Sequence, residues 1–150
     1  MTITPAVYED LPAILALQYR AYQSEAELLQ DFYIPPLCQT LASLQEEFAR
    51  SVVLKATEGD AIIGSVRAHM EGTTAQIGKL IVDPAFQGRG IGTQLLHSVE
   101  LACSAARYEL FTSSKSEKNL RLYERAGYRR FAQKEIKAGL VFIYLEKTAE

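Results

Sequence analysis

Three glycines at every second position, Gly88, Gly90 and Gly92, separate an apolar segment that ends in Asp83-Pro84 from a helical segment that begins near Thr93. A glycine-rich turn from a strand into a helix directs free backbone N–H groups, and the positive end of the helix dipole, towards one point. Such a turn binds anions, most often a phosphate or a pyrophosphate. The chemistry predicted for this stretch is the binding of a phosphorylated ligand by main-chain groups.

The spacing of the glycines excludes two common phosphate-binding loops. A nucleoside-triphosphate loop ends in Gly-Lys-Ser or Gly-Lys-Thr, whereas this turn ends in Gly92-Thr93 and has no lysine there. A dinucleotide fingerprint requires glycine at its first, third and sixth positions. The sixth position is Thr93 when counted from Gly88 and Leu95 when counted from Gly90, so both frames fail.

A second candidate group is the pair Asn119 and Tyr123, which precedes the helix stop at Gly127. Residues four apart lie on the same face of a helix, so these two side chains are expected to point the same way.

Both stretches resemble the GCN5-related N-acetyltransferase (GNAT) superfamily. The first resembles its acyl-CoA-binding segment in the pattern Leu80-x-Val82-x-Pro84-x-x-Gln87-Gly88-Arg89-Gly90-Ile91-Gly92. The second, from Asn119 to Tyr128, resembles the superfamily's Asn-x-x-x-Leu-Tyr-x-x-x-Gly-Tyr/Phe. The resemblance implies an N-acetyltransferase that uses acetyl-CoA as acyl donor and no metal.

The resemblance also implies a role for each matched residue. The backbone of the strand would pair with the pantetheine amides, and the amides of the turn would hold the pyrophosphate. Tyr123 would lie near the thioester sulfur as general acid, since a phenol with a reference pKa of about 10 is neutral at pH 7. The side chain of Arg89 either adds a phosphate contact or is an exposed loop arginine. The residues implied in cofactor binding are Leu80, Ile81, Val82, Gln87, Gly88, Arg89, Gly90, Ile91, Gly92, Thr93 and Asn119.

The general base is left open by the sequence. In the histone-acetylating branch of the superfamily a glutamate stands six residues before the position of Val82, and here that residue is Gln76, which cannot accept a proton. The remaining candidates, acting directly or through water, are Glu71, His69, Glu109 and a glutamate of the 25–31 segment. The other histidine, His97, is expected at the surface.

The elements that position these groups follow from the apolar periodicity. Strands are predicted over 3–7, 52–57, 61–71, 75–82, 108–112, 128–136 and 140–147, and helices from 11 to about 23, 41 to 48, 93 to 101 and 117 to 126. Residues 24–37 are predicted to be a loop or a broken helix, because Pro35-Pro36 interrupts regular helix. The element order predicts an α/β (α+β layered) fold. The resemblance implies a mixed, mostly antiparallel central sheet of about six to seven strands with about four helices, splayed at the strand that holds Leu80 to Val82.

Composition predicts a single cytoplasmic domain. The 150 residues suffice for one domain, 1–150, and the net charge of −2 provides no broad basic surface for nucleic acid. Cys38 and Cys103 form no metal-binding pair. The N-terminus lacks a signal-peptide pattern, and the longest apolar run, 138–145, is too short to span a membrane. The resemblance allows a homodimer.

The acceptor site is expected within residues 19–37, since long irregular segments over a rigid sheet usually carry specificity. The aromatic side chains that could form its walls are Tyr19, Tyr22, Phe32 and Tyr33. The acids Glu25, Glu27 and Asp31 either attract an amine that is cationic before it reacts or form a solvated face.

The predicted function is transfer of an acetyl group from acetyl-CoA to a primary amine of a small molecule or protein, so the partner would be a small-molecule or peptide amine. The resemblance implies direct attack in a ternary complex, and the lack of a nucleophile motif at either cysteine argues against an acyl-enzyme. Two alternatives stand beside it. One is a non-catalytic acyl-CoA-binding sensor or interaction module on the same fold, and the other is a phosphate-binding turn for another nucleotide.

Overall fold

The computed structural model of the protein describes residues 1–149, in which one seven-stranded sheet carries helices on both faces. The strands, in chain order, are β1 (Thr2–Pro5), β2 (Val52–Glu58), β3 (Ala61–Glu71), β4 (Thr74–Val82), β5 (Arg107–Ser113), β6 (Arg129–Lys137) and β7 (Leu140–Thr148). The α-helices are α1 (Leu11–Ala21), α2 (Gln23–Leu29), α3 (Pro35–Cys38), α4 (Leu41–Phe48), α5 (Ile91–Cys103) and α6 (Glu117–Arg125).

The strand order is β1-β2-β3-β4-β5-β7-β6, and every neighbouring pair is antiparallel except β4 and β5. The predicted α+β layered fold with a mixed, mostly antiparallel sheet is therefore confirmed. The predicted final hairpin is also present, with β7 beside β5 and β6 at the edge of the sheet.

Two apolar cores lie on opposite faces of the sheet. On the face called here the α5 face, Leu95 and Val99 of α5 pack with buried side chains of β2 to β5 and β7. On the opposite face, called the α1 face, Leu11 and Ile14 of α1 pack against Leu44 of α4. The helical spacing of these apolar residues explains both helices, because each buries one continuous stripe against the sheet.

The segment 24–37 is a broken helix rather than a loop throughout. α2 ends at Gln30, which adopts a left-handed conformation with φ of 53°. α3 begins with Pro35 in its first turn, where the missing N–H of proline has no helical partner to lose. α4 then begins at the cap Thr40, whose side chain accepts a hydrogen bond from the Ser43 N–H at 3.1 Å. Among residues 1–149, no helix is long and apolar enough to span a membrane.

The strand β4 changes phase halfway along its length. Ala75 and Ile77 are buried on the α5 face, but the next side chains that pack there are Leu80 and Val82, three and five residues beyond Ile77. Between them, Lys79 has a positive φ of 50°, which is uncommon for a residue other than glycine. A β-bulge at this point accounts for the change, because one extra residue reverses the alternation of a strand.

The pairing of β4 with β3 places the bulge at Lys79. Arg67 pairs with Gly78 and Ser65 pairs with Ile81, so β4 has one residue more than β3 between these two pairs. The bulge thus places Lys79 next to Gly78, the partner of Arg67, on the α1 face of the sheet.

The strands β4 and β5 are joined only at one end. Parallel pairing covers Thr74 to Gln76 with Arg107 to Glu109, and no pair forms beyond it. The remainder of β4, from Ile77 to Val82, therefore has no strand on its β5 side. This confirms the expected splay of the sheet at the strand that holds Leu80 to Val82.

Candidate active site

The glycine turn presents unoccupied backbone donors around an open space. Gly88 and Gly90 have φ of 79° and 77°, and a Cβ on either would meet no atom within 4 Å. No backbone N–H from Gln87 to Thr93 donates a hydrogen bond within the described part of the chain. Together with the start of α5 these groups form a cradle that could hold an anion, at the turn for which the sequence predicted anion binding.

The open edge of β4 continues this cradle into the sheet. Residues 77–82 lack a partner strand towards β5, so main-chain donors and acceptors on that side are free for an extended ligand. Leu80, Ile81 and Val82, for which the sequence predicted pantetheine contacts, lie on this edge. Gln87, also in the predicted set, has its side-chain amide 3.5 Å from the carbonyl oxygen of Val82.

The helix α6 is held against the glycine turn by two contacts. A Cβ on Gly92 would lie 3.3 Å from Cδ1 of Leu122, a tight contact, so the glycine helps α5 and α6 to approach each other. Lys118 Nζ also donates to Gln87 Oε1 at 3.0 Å. The two motifs that the sequence identified, separated by some thirty residues, are therefore in contact in the structure.

The predicted acid Tyr123 lies on the buried side of α6, with 7% of its surface exposed. Its hydroxyl makes no hydrogen bond to the residues that the structure describes, 1–149. Burial raises the pKa of Tyr123, and the nearby Tyr22 and Glu25 raise it further. The phenol is therefore protonated at neutral pH, and its proton is not committed to another residue.

The helix that carries Tyr123 has a defined end. The Tyr128 N–H donates to the Tyr123 carbonyl oxygen at 3.0 Å, and Gly127 has φ of 99°, as a glycine helix stop requires. Asn119, one turn before Tyr123, is half-buried, and its side-chain amide donates to Thr112 Oγ1 at 3.4 Å. Asn119 thus faces β5, beside the gap in the sheet.

Arg89 lies over the ring of Phe86, with 5.0 Å between its guanidinium carbon and the ring centroid. Its side chain is exposed and forms no ion pair with a carboxylate among residues 1–149. It is placed on the same turn as the free amides, so it can approach an anion held there.

The aromatic residues of the predicted acceptor segment do not form one wall. Tyr19 is fixed by a hydrogen bond from its hydroxyl to the Gln39 carbonyl oxygen. Phe32 and Tyr33 are exposed, with 53% and 85% of their surfaces accessible. Only Tyr22 lies close to Tyr123, and burial raises the pKa of Tyr22 to about 12.

The three acids of that segment do not converge either. Glu25 accepts a hydrogen bond from the buried Ser116 Oγ at 2.7 Å, at the start of α6. Asp31 pairs with Lys137 Nζ at 3.0 Å, which ties the end of α2 to the β6–β7 hairpin. Glu27 is exposed. Of the three, Glu25 is therefore the carboxylate held at the start of α6, and its charge raises the pKa of Tyr123.

The other base candidates lie along one row of the sheet, on the α1 face. His69 pairs with Gln76, and Gln76 pairs with Glu109 on β5. His69 contacts the exposed Glu71 at 3.2 Å, and Glu109 is held by Arg107 Nη1 at 2.8 Å. A carboxylate thus stands one strand away from Gln76, at the same level and on the same face. The remaining histidine, His97, is exposed on α5, as expected.

The sequence did not identify a buried polar network around Arg67. This side chain is 3% exposed, and its Nη2 donates to Gln18 Oε1 at 2.7 Å and to Gln39 Oε1 at 3.1 Å. Burial lowers the pKa of the nearby Lys79, and the positive charge of Arg67 lowers it further. The signal that could have found Lys79 is the phase change of β4, since its apolar residues stop alternating at Gly78-Lys79.

The chain resembles known proteins both in sequence and in fold. The sequence matches the family model described as an acetyltransferase (GNAT) domain over residues 21–149. A search of curated protein sequences finds no significant match.

Three solved structures share the fold. The ribosomal-protein-S18-alanine N-acetyltransferase of Escherichia coli superposes with a TM-score of 0.81 at 18% identity, covering 98% of this chain and 92% of that one. The PaiA N-acetyltransferase of Thermoplasma acidophilum, in complex with coenzyme A, gives 0.79 at 17% identity and covers 99% and 100%. YncA of Salmonella typhimurium, with its cofactor acetyl-CoA, gives 0.78 at 19% identity and covers 99% and 93%.

Proposed function

Since the chain belongs to the GNAT acetyltransferase family, we propose that it transfers an acetyl group from acetyl-CoA to a primary amine of a small molecule or peptide. The amine attacks directly while both substrates are bound. One observation carries the proposal: the open glycine turn touches the helix whose buried Tyr123 has an uncommitted hydroxyl.

The residues present fit the donor. Glycines whose absent Cβ leaves open space, with free amides around it, suit a pyrophosphate. The unpaired edge of β4 suits the amides of a pantetheine arm, which can pair with it as a strand would. Two of the structures that share the fold were solved with coenzyme A or acetyl-CoA, which supports the same donor here. Residues 1–149 contain no group of three or more His, Cys, Asp or Glu side chains that could hold a metal ion.

The donor supplies an activated acetyl carbon as a thioester. Tyr123 gives its proton to the departing sulfur, because burial keeps its phenol protonated. The amine must lose a proton as its bond to the acetyl carbon forms, and we assign that proton to Glu25, directly or through one water. Glu25 is preferred to Glu109 because it lies close enough to Tyr123 to raise its pKa, whereas Glu109 is engaged by Arg107.

The proposal is tested by measuring free CoA thiol released from acetyl-CoA in the presence of a panel of amines. Release that depends on an amine, with the acetylated amine found by mass spectrometry, is the expected result. A calorimetric titration with ATP beside acetyl-CoA tests the donor. Binding of acetyl-CoA without release from any amine would support the non-catalytic sensor, and preferential binding of ATP would support another nucleotide.

A further inference from the structure

The buried guanidinium of Arg67 has hydrogen-bonding groups that the protein leaves unused. Its Nε and Nη1 atoms are inaccessible to solvent and have no hydrogen-bond partner among residues 1–149. The two oxygens that Nη2 contacts belong to neutral amides, Gln18 and Gln39. A buried charged donor without a partner is costly, and native structures retain one where it has a role.

The ammonium group of Lys79 is the second unused cation at this place. The bulge of β4 puts Lys79 directly after Gly78, the residue that pairs with Arg67. Lys79 is half-buried and forms neither a hydrogen bond nor an ion pair with residues 1–149. The charge of Arg67 is near enough to lower the pKa of Lys79.

The negative charge near these two cations does not balance them. Glu47 is the carboxylate that acts on both, and its Oε2 lies 3.6 Å from Arg67 Nε, an ion pair too long for a hydrogen bond. The other oxygen of Glu47 already accepts from Gln39 Nε2 at 2.9 Å. Arg67 and Lys79 carry two positive charges, and Glu47 balances only one of them. A carboxylate of a ligand would neutralise the other.

We propose that Lys79, backed by Arg67, binds a carboxylate of the acceptor, so that the acceptor is an amino acid rather than a plain amine. The inference rests on the proposed function, since it concerns the acceptor of the same reaction. The location supports it, because Lys79 lies on the β4 segment whose free edge suits the donor.

The two ends of the site then match the two charges of an amino acid. Arg67, Glu47 and Glu25 all act on the pKa of Tyr22, so Tyr22 is within electrostatic range of the groups at both ends. The ammonium of the acceptor approaches Glu25 and Tyr123 while its carboxylate approaches Lys79. The positive charge of Lys79 and Arg67 also favours the neutral form of the amine, which is the form that attacks.

The experiment compares matched acceptors with acetyl-CoA and measures kcat/KM from CoA release. Each amino acid is paired with its decarboxylated amine: alanine with ethylamine, phenylalanine with phenethylamine, and lysine with cadaverine. A phosphate arm uses phosphoethanolamine, and a peptide arm uses a tripeptide amide with a free N-terminus. The amino acids are expected to exceed their decarboxylated partners by about tenfold or more, as one charge-assisted contact predicts.

Variants of Lys79 test whether this residue causes the preference for amino acids over their decarboxylated amines. Lys79→Met should raise KM for the amino acid by about tenfold and abolish the difference within each pair, with the affinity for acetyl-CoA unchanged. Lys79→Arg should restore part of the preference. The matched control is Lys134→Met, which removes an exposed lysine of β6 and should preserve it. Avoiding Arg67 keeps the buried network intact.

Each other outcome has a defined meaning. Equal or faster transfer to the decarboxylated amines, to phosphoethanolamine or to the peptide amide would overturn this inference and leave the proposed function standing. An unchanged preference in Lys79→Met would also overturn it. Absence of CoA release with every acceptor would overturn the proposed function and this inference with it.

Discussion

The two sides of the gap in the sheet are built by different means. On the donor side, the glycine turn and the edge of β4 offer main-chain groups, and Gly88, Gly90 and Gly92 carry no side chains. On the side proposed for the acceptor, called here the acceptor side, the polar groups are side chains, which come from α1, the segment before α4, α4, β3 and β4.

This difference separates what is general from what is particular. A backbone cradle binds any ligand with a pyrophosphate at the right distance and needs only glycine and a helix start. A network of side chains from distant parts of the chain binds one arrangement of charges, because each member is fixed by the others. The donor side therefore depends on local backbone geometry, whereas the proposed acceptor side depends on residues from several parts of the chain.

The strongest way to break the donor side is to place an anion inside the cradle. Gly90→Glu adds a carboxylate and a strained φ where the pyrophosphate is expected, so affinity for acetyl-CoA should fall by roughly a thousandfold. Isothermal titration measures it. Gly59→Glu is the matched control, since Gly59 also has a positive φ of 60° and open space but lies in the β2–β3 turn. An equal loss in both variants would show that strain alone is responsible.

The role of Tyr123, which lies where the two sides meet, is tested by removing its hydroxyl. Tyr123→Phe should lower kcat by about a hundredfold, the usual worth of a general acid, with little change in acetyl-CoA affinity. Because burial raises the pKa of Tyr123 above its ordinary 10.0, the wild type should lose no activity to deprotonation of this group as the pH rises from 7 to 10. Tyr8→Phe, at an exposed tyrosine, should behave as wild type. Unchanged kcat in Tyr123→Phe would contradict the acid role.

Two isosteric substitutions test which carboxylate on the acceptor side takes the proton of the amine. Glu25→Gln keeps a hydrogen-bond acceptor for Ser116 but cannot take a proton, so kcat should fall by about tenfold or more. Glu109→Gln alters the carboxylate beside Gln76 and should cost only a few-fold. Steady-state kinetics over pH 6–9 measure both. The reverse order of effects would move the base role to β5.

The smallest expected effect is at the rim of the donor side. Arg89→Ala removes an exposed cation and should weaken acetyl-CoA binding by roughly threefold, with a smaller dependence on salt than in the wild type. Titrations at low and high salt measure it. A loss as large as that of Gly90→Glu would mean that a side chain, rather than the backbone, dominates donor binding.

The donor side could be predicted from the sequence because its signals are local. The glycine spacing, the strand before it and the helix after it all fall within 74–103, and local spacing determines local backbone geometry. The pair Asn119 and Tyr123 depends on helical periodicity in the same way. The resemblance assigned both motifs to one cofactor, and the structure brings them together at Gly92 and Leu122.

The acceptor side could not be predicted because its contacts are distant in sequence. Arg67 meets Gln18, Gln39 and Glu47, which are 49, 28 and 20 residues away, and no periodicity links them. The three acids of the 25–31 segment suggested a single negative surface, yet their partners draw them apart. The gap in the sheet was expected only from the resemblance, because nothing in the sequence of β5 indicates where its pairing with β4 stops.

The contact between Gly92 and Leu122 has an energetic consequence. It couples the site for the nucleotide end of the donor to the helix that carries the acid, together with the bond from Lys118 to Gln87. Binding energy from a part of the substrate that does not react can then hold Tyr123 in place during the reaction. A truncated donor such as acetyl-pantetheine, which lacks the nucleotide, would lose turnover as well as affinity. The nucleotide is therefore expected to contribute to turnover as well as to affinity, although it lies far from the reacting atoms.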